Sequence, residues 1–314
     1  MVGRPVPSPG AFPELVTGMS PSTSARALRP SPTPREDPAA GYEQAQWLAD
    51  AAVRALRDEA RLSPKPALVD ARGSGAHRDL DLARMLRSAC ALRRPFAEMA
   101  LAAQQARPDA RLREQLARIG RVAEQRMLLA TQGSNAHRGA IWALGLLLGA
   151  RALPRFGASA AEVCADAARI ARHPDRGHCD AGASHGARAA RVYGAAGARG
   201  QACAGFPQVL HCGLPMLRRR RAAGARAEQA RLDALLAIMA ELDDTCLLHR
   251  GGQPALRAAQ TGARRVLELG GAATRAGHAA LLELDAELLA RNASPGGSAD
   301  LLSASLFLDA VTDD

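Results

Sequence analysis

A chain with only 9 aromatic residues in 314 (2 Trp, 2 Tyr, 5 Phe) has little from which to build a β-sheet. Strands favour aromatic and β-branched side chains, and this sequence is poor in both. Its apolar content, 47%, comes mostly from Ala and Leu. With Arg, Glu and Gln these are the strong helix formers, so the expected fold class is all-α. The length suits one large domain or two ordinary ones and can bury a core without disulfides.

Residues 1–40 are rich in Pro, Ser and Gly and lack periodicity, which predicts a disordered N-terminal tail. Prolines recur through that stretch, so no continuous apolar region of a secretory signal exists there. Residues 41–314 read as a single compact multi-helix domain. Apolar residues recur at three and four from Tyr42 until Pro64 and Pro66. A loop is expected over 67–75, and further helices over 76–103 (with Pro95 a candidate interruption), 109–131, 136–150, 158–172, 184–196, 198–220, 225–247, 254–268, 272–291 and 298–310. The longest apolar run, Ala140 to Ala150, is too short to span a bilayer, so no membrane partner is expected. Six cysteines with no CxxC spacing read as reduced thiols of a cytoplasmic protein.

The formal charge of +10 fits an anionic partner. Of 41 basic residues only one, Lys65, is lysine, and only two Asn occur, Asn135 and Asn292. Where coding bias replaces Lys by Arg, a surviving Lys marks a position at which the two differ.

Five segments set polar residues beside glycines. In the first, Ser63 to Asp70 leads to Gly73-Ser74-Gly75-Ala76-His77-Arg78-Asp79-Leu80-Asp81, where a helix would put His77 and Asp81 on one face. Carboxylates and an imidazole there suit a hard cation or proton transfer; the alternative is acidic residues placed near a helix dipole. The second, Thr131 to Gly139 with Ser134, Asn135, His137 and Arg138, precedes the most apolar helix and is either an anion site or ordinary capping. The third carries Gly194, Gly197, Arg199 and Gly200 up to Phe206-Pro207. In the fourth, continuing the stripe Leu232, Leu235, Leu236, Met239 by four lands on Asp243, beside Asp244. A carboxylate on a core stripe requires a partner or a metal. The fifth, Ser294 to Asp300, is a Gly-rich opening of a helix, able to cradle phosphate or simply capped by Ser298. No Gly-Lys-Ser/Thr loop exists, no GxSxG elbow or GxGxxG follows an expected strand, and His173, His178, Cys179 and Asp180 match no structural zinc spacing.

In series these segments resemble the triphosphoribosyl-dephospho-CoA synthase family. The likeness rests on Lys65-Pro66 with Leu68-Val69-Asp70, Gly75-Ala76-His77, Asp79-Leu80-Asp81, Asn135 to Ala140, and Gly197 to Gly200 with Phe206-Pro207. It continues through Asp243-Asp244-Thr245, Arg250-Gly251-Gly252 and Ser294 to Asp300, and runs in order from about 48 to 310. Ala71 to Ser74 lacks an Asn common in the family, and Gly133-Ser134 replaces its Thr/Val residues. Cys246 and His249 look like the branch serving malonate decarboxylase rather than citrate lyase.

The resemblance implies transfer of the 5-triphosphoribosyl group of ATP onto the 2′-hydroxyl of 3′-dephospho-CoA, with release of adenine. The product is the precursor of an acyl carrier protein's prosthetic group, passed to a downstream carrier-protein transferase system. It implies Mg²⁺ held by Asp79, Asp81, Asp243 and Asp244, and proton handling by His77, Asp70 or Asp79. Substrate binding falls to Lys65, Asn135, His137, Arg138, Arg199, Arg250, Gly296, Gly297 and Ser298. Nucleotides are then the partners, with no nucleic acid; nothing excludes a homodimer. The competing readings are the same reaction serving citrate lyase, a prenyl-diphosphate enzyme built on Asp243-Asp244, an inactive scaffold for the carrier protein, and an Arg-rich helical nucleic-acid binder.

Overall fold

The computed structural model describes residues 38–154, 157–177 and 185–312. The tail read over 1–40 therefore falls almost wholly outside the described residues, as do His178, Cys179 and Asp180. The described chain is helical: α1 (Pro38–Arg61), α2 (Leu82–Ala91), α3 (Arg93–Ala103), α4 (Ala110–Thr131), α5 (Arg138–Arg151), α6 (Ala160–Arg172), α7 (His185–Tyr193), α8 (Gly197–Cys203), α9 (Leu214–Ala222), α10 (Ala227–Glu241), α11 (Thr245–Glu268), α12 (Arg275–Ala290) and α13 (Gly296–Val311). A π-helical turn, Val209–Gly213, leads into α9. The all-α expectation holds.

The sequence pattern explains the layering. α5, α10 and α13 are apolar around nearly their whole circumference and form the centre, where α13 packs against α5, α10 and α1. Amphipathic helices surround them: α3 and α4 meet α5 on one side, and α11 lies against α10 and α12 on the other. One main apolar cluster runs through all of these elements. No described helix is long and apolar enough to cross a membrane.

Four boundaries differ from expectation, and each has a local cause. The stretch 76–81 is loop rather than helix, because the Asp81 carboxylate caps α2 by accepting from Arg84 N at 2.7 Å. His77 and Asp81 therefore do not share a helix face. The break expected at Pro95 falls instead at Leu92, and Pro95 sits in the first turn of α3, where its missing N–H costs nothing. The helix expected over 198–220 stops at Cys203, since Gly205 and Phe206 take positive φ ahead of Pro207. The helix expected over 225–247 ends at Glu241; Asp244 then starts α11, which bends at Gly252 (φ 62°, ψ −161°) before Pro254. A side chain at Gly252 would hold that left-handed turn only under strain.

Candidate active site

All five polar segments contribute to the wall of one cavity of about 1330 Å³. Its lining includes Lys65, His77 and Asp79 from the loop after α1, Asn135, His137 and Arg138 at the start of α5, and Arg199 of α8. It continues with Asp243, Asp244, Cys246 and Arg250 at the start of α11, and Gly296, Gly297 and Asp300 of α13. The N-terminal turns of α5, α11 and α13 thus open on one space, and helix N-termini favour anions. Asp70, Asp81 and Ser298 do not line it.

Asp244 and Ser298 act together, but structurally. Asp244 is 1% exposed. One carboxylate oxygen accepts from Cys246 N (2.9 Å) and Gly297 N (3.3 Å), the other from Ser298 N (2.8 Å) and Ser298 Oγ (2.9 Å). All four lone-pair positions of the carboxylate are taken, so Asp244 pins the start of α11 to the start of α13 and has none left for a metal. Burial pushes its pKa up, against these donors, which pull it down. In the Gly-rich turn the Gly297 and Ser298 amides are thus already committed to Asp244. Its glycines allow close approach: a Cβ on Gly297 would lie 3.0 Å from the Asp244 carboxylate, and one on Gly296 3.0 Å from Cys246 Sγ.

Asp70 is likewise engaged within its own segment. It accepts from Ser63 Oγ, Lys65 N, Arg72 N and Arg72 Nε, all within 3.0 Å, and organises its own loop. Arg72 ties that loop to α12 through Asp285 at 2.6 Å. Gly75 lets the loop fold back, since a Cβ there would be 2.5 Å from Ala67 O.

Lys65 is 1% exposed. Its Nζ is bound to Glu59 Oε1 at 2.6 Å and to Glu59 O at 2.8 Å. It carries a structural charge on the wall rather than a free phosphate ligand. Asn135 accepts from Arg138 N (3.1 Å) as a cap, and Arg138 pairs with Glu124 at 3.1 Å.

His77 is the best-placed imidazole. Arg250 donates to His77 Nδ1 (3.2 Å) and to Ala76 O (2.9 Å), while His77 Nε2 meets Ser294 Oγ at 3.1 Å. A guanidinium cannot accept, so Nδ1 carries the lone pair and Nε2 the proton. Burial, then the Arg250 charge, brings the His77 pKa down to about 4, against Asp79, whose carboxylate lies 4.0 Å from Nδ1. His137, 2% exposed, binds Ser88 Oγ through Nδ1 at 2.7 Å, and its Nε2 has no partner. Burial, then Lys65, brings its pKa down to about 3.

Asp79 and Asp243 are exposed carboxylates on the wall; Asp243 has no ion pair or side-chain hydrogen bond among the described residues. Among the described residues no three His, Cys, Asp or Glu side chains form a ready metal cage. A Mg²⁺ ion nevertheless fits this wall, because it is commonly held by one or two carboxylates plus substrate phosphates.

Sequence reasoning gave no role to Glu59, Asp300, Arg113 or Trp142, all on the wall. Glu59 had a signal: it continues the stripe Leu48, Ala52, Leu56 that builds the buried face of α1. Asp300 closed the fifth segment, but its neighbour Gly139, where a Cβ would fall 2.0 Å from Asp300 Oδ2, is distant in sequence. Burial, then Glu59 and Asp244, pushes the Asp300 pKa well up.

Residues 45–314 match the model of the ATP:dephospho-CoA triphosphoribosyl transferase family. A protein of Pseudomonas paraeruginosa named probable 2-(5″-triphosphoribosyl)-3′-dephosphocoenzyme-A synthase is 57% identical over 278 residues, 88% of this chain and 92% of that one. A protein of the same name from Azotobacter vinelandii is 57% identical over 266 residues, 84% of this chain and 91% of that one. With both the family model and these relatives spanning nearly the whole helical region that builds the cavity, the chain belongs to the ATP:dephospho-CoA triphosphoribosyl transferase family.

Proposed function

We propose that this enzyme transfers the 5-triphosphoribosyl group of ATP to the 2′-hydroxyl of 3′-dephospho-CoA and releases adenine. The observation that carries the reading is the meeting of five sequence-distant polar segments in one cavity larger than a single small ligand requires. The reaction breaks the bond between adenine and ribose C1′ and joins C1′ to the acceptor oxygen. It moves no phosphoryl group, which agrees with an ATP user that lacks a P-loop.

Each step has a group on the wall. Asp79 and Asp243 would hold Mg²⁺, which when bound neutralises the triphosphate. Arg250, which donates to His77 Nδ1, supplies a cation for the same phosphates on turning towards them. Asp300, held as a neutral acid, gives a proton to the leaving adenine. His77, neutral near pH 7, takes the proton of the 2′-hydroxyl once Arg250 turns from Nδ1 to phosphate. Both substrates occur in the cytoplasm, where the enzyme would work, and its product feeds a carrier-protein transferase. The likeness of Cys246 and His249 to the malonate decarboxylase branch favours that carrier protein over that of citrate lyase, and both residues line the cavity.

Purified full chain with ATP, Mg²⁺ and dephospho-CoA should release adenine, followed by chromatography, only when both nucleotides are present. Appearance of ADP or AMP in place of adenine would refute the reading.

A further inference from the structure

One part of the cavity wall is built differently from the rest. Arg113 and Arg121 of α4 and Arg199 of α8 all reach it, around Trp142 of α5. Arg113 is a buried residue whose guanidinium carbon sits 4.8 Å from the centre of the Trp142 ring. Its Nε is buried without a partner, and its guanidinium forms no ion pair among the described residues. The Trp142 indole N–H donates to Ala198 O at 3.1 Å, which fixes the ring against the residue preceding Arg199. Arg199 has no partner among the described residues either. Only Arg121 is paired, with Asp175 at 2.6 Å. Burial, with Arg199 and Arg121 facing it and against the pull of Asp175, holds the Arg113 pKa below its usual value.

A structural arginine this buried ordinarily meets a carboxylate, because leaving a guanidinium desolvated and facing like charges costs free energy. Here three guanidiniums share one carboxylate, a local excess of two positive charges. A diphosphate in diester linkage carries two negative charges and presents oxygens to fork-shaped donors. Among the described residues Asp175 is committed to Arg121, and Glu124, one turn further along α4 and also on the wall, to Arg138, so neither carboxylate is left open to hold a divalent cation. Asp79 and Asp243, which are open, belong to other segments.

We propose that Arg113, Arg199 and Arg121, with Trp142 as the platform, form a metal-independent diphosphate subsite, and that the 5′-diphosphate of dephospho-CoA fills it. The assignment rests on the reaction proposed above for the choice of ligand, while the anion site itself rests on the geometry alone. It divides the cavity: the acceptor's diphosphate is neutralised by arginines, and the donor's triphosphate by the Asp79 and Asp243 segments.

Trp142 makes the test direct. Trp47 is the one other tryptophan, exposed on α1 and outside the cavity wall, so Trp47→Phe leaves Trp142 as sole reporter. In EDTA, dephospho-CoA and inorganic pyrophosphate should each change Trp142 fluorescence saturably, and Arg113→Gln should weaken both about tenfold or more. Arg199→Gln, at an exposed position, gives the same reading if Arg113→Gln does not fold. In turnover, either variant should raise KM for dephospho-CoA about tenfold and leave KM for ATP within about twofold. A fluorescence change that needs Mg²⁺, binding unaltered by both variants, or a rise in KM for ATP instead would overturn the subsite. Saturable binding in a chain that releases no adenine would refute the reaction and keep the anion site; adenine release without the fluorescence response would do the reverse.

Discussion

Asp244→Asn separates a structural carboxylate from a metal ligand. The native side chain receives four hydrogen bonds, three of them from the first-turn amides of α11 and α13. An Asn keeps one acceptor oxygen, which can serve two of the four donors with neutral rather than charge-assisted bonds. Its amide then faces Ser298 N–H, donor against donor, while Ser298 Oγ can rotate to accept. One buried amide left unsatisfied costs about 1–3 kcal/mol, and weakening two charge-assisted bonds adds about 1 kcal/mol. Relief from burying a charge offsets part of this. The expected net loss is about 1–3 kcal/mol, a Tm decrease of roughly 2–12 °C for a domain of this size. Asp244→Ala, which orphans all four donors, should lose more. The assay is thermal unfolding followed by circular dichroism in EDTA, so that no metal contributes. A Tm within about 1 °C of the parent, together with lost activity, would refute the pinning role and restore Asp244 as a metal ligand.

Three further outcomes follow from the same wall. Lys65→Met should cost about 3–5 kcal/mol in urea unfolding, because it strands buried Glu59, whereas Lys65→Met with Glu59→Leu should recover most of that loss; a double variant as unstable as the single one would contradict the pairing. His77 and His137 have folded pKa values lowered to about 4 and about 3, so below pH 6.5 the unfolded chain binds more protons than the folded one. The two imidazoles should therefore lower stability by roughly 4 kcal/mol between pH 7 and pH 5, offset in part by Asp300, which the folded chain holds neutral and the unfolded chain ionises; Asp300→Asn should steepen the fall, and a urea midpoint of that variant flat over the range would contradict it. Gly139→Ala should displace Asp300 and lower adenine release at least tenfold, while Gly120→Ala, where a Cβ would meet only Met99 Cε at 3.7 Å, should keep or slightly raise Tm; equal behaviour of the two would remove Asp300 from the reaction.

Much of the fold was legible, because Ala and Leu at helical spacing leave few alternatives to a bundle. The central helices were readable as apolar runs, such as Ala140 to Ala150. The errors gather where a side chain overrides periodicity. Asp81 and Asp244 both look like continuations of helices, yet each starts one, since an Asp that accepts from the following amides is worth more as a cap than inside a helix. The stripe argument that singled out Asp243 failed because α10 ends at Glu241 and the register does not continue; on α1, where the helix does run on, the same argument points to Glu59. The candidate site was legible as a set of segments, and all five meet at the cavity. The division of labour within it was not, since Asp70 satisfies its own loop and Asp244 binds Ser298 across two helix starts, and the Arg113–Trp142 contact joins residues 29 apart in sequence on consecutive helices. Nothing local in the sequence marks such a pairing.

The central claim concerns which bond of ATP breaks, and mass spectrometry of the acceptor product with phosphorus NMR tests it most directly. Glycosyl transfer predicts dephospho-CoA heavier by one triphosphoribosyl group, its triphosphate intact, and one adenine released per product. Dephospho-CoA that gains a single phosphate, with ADP as co-product, would contradict the account.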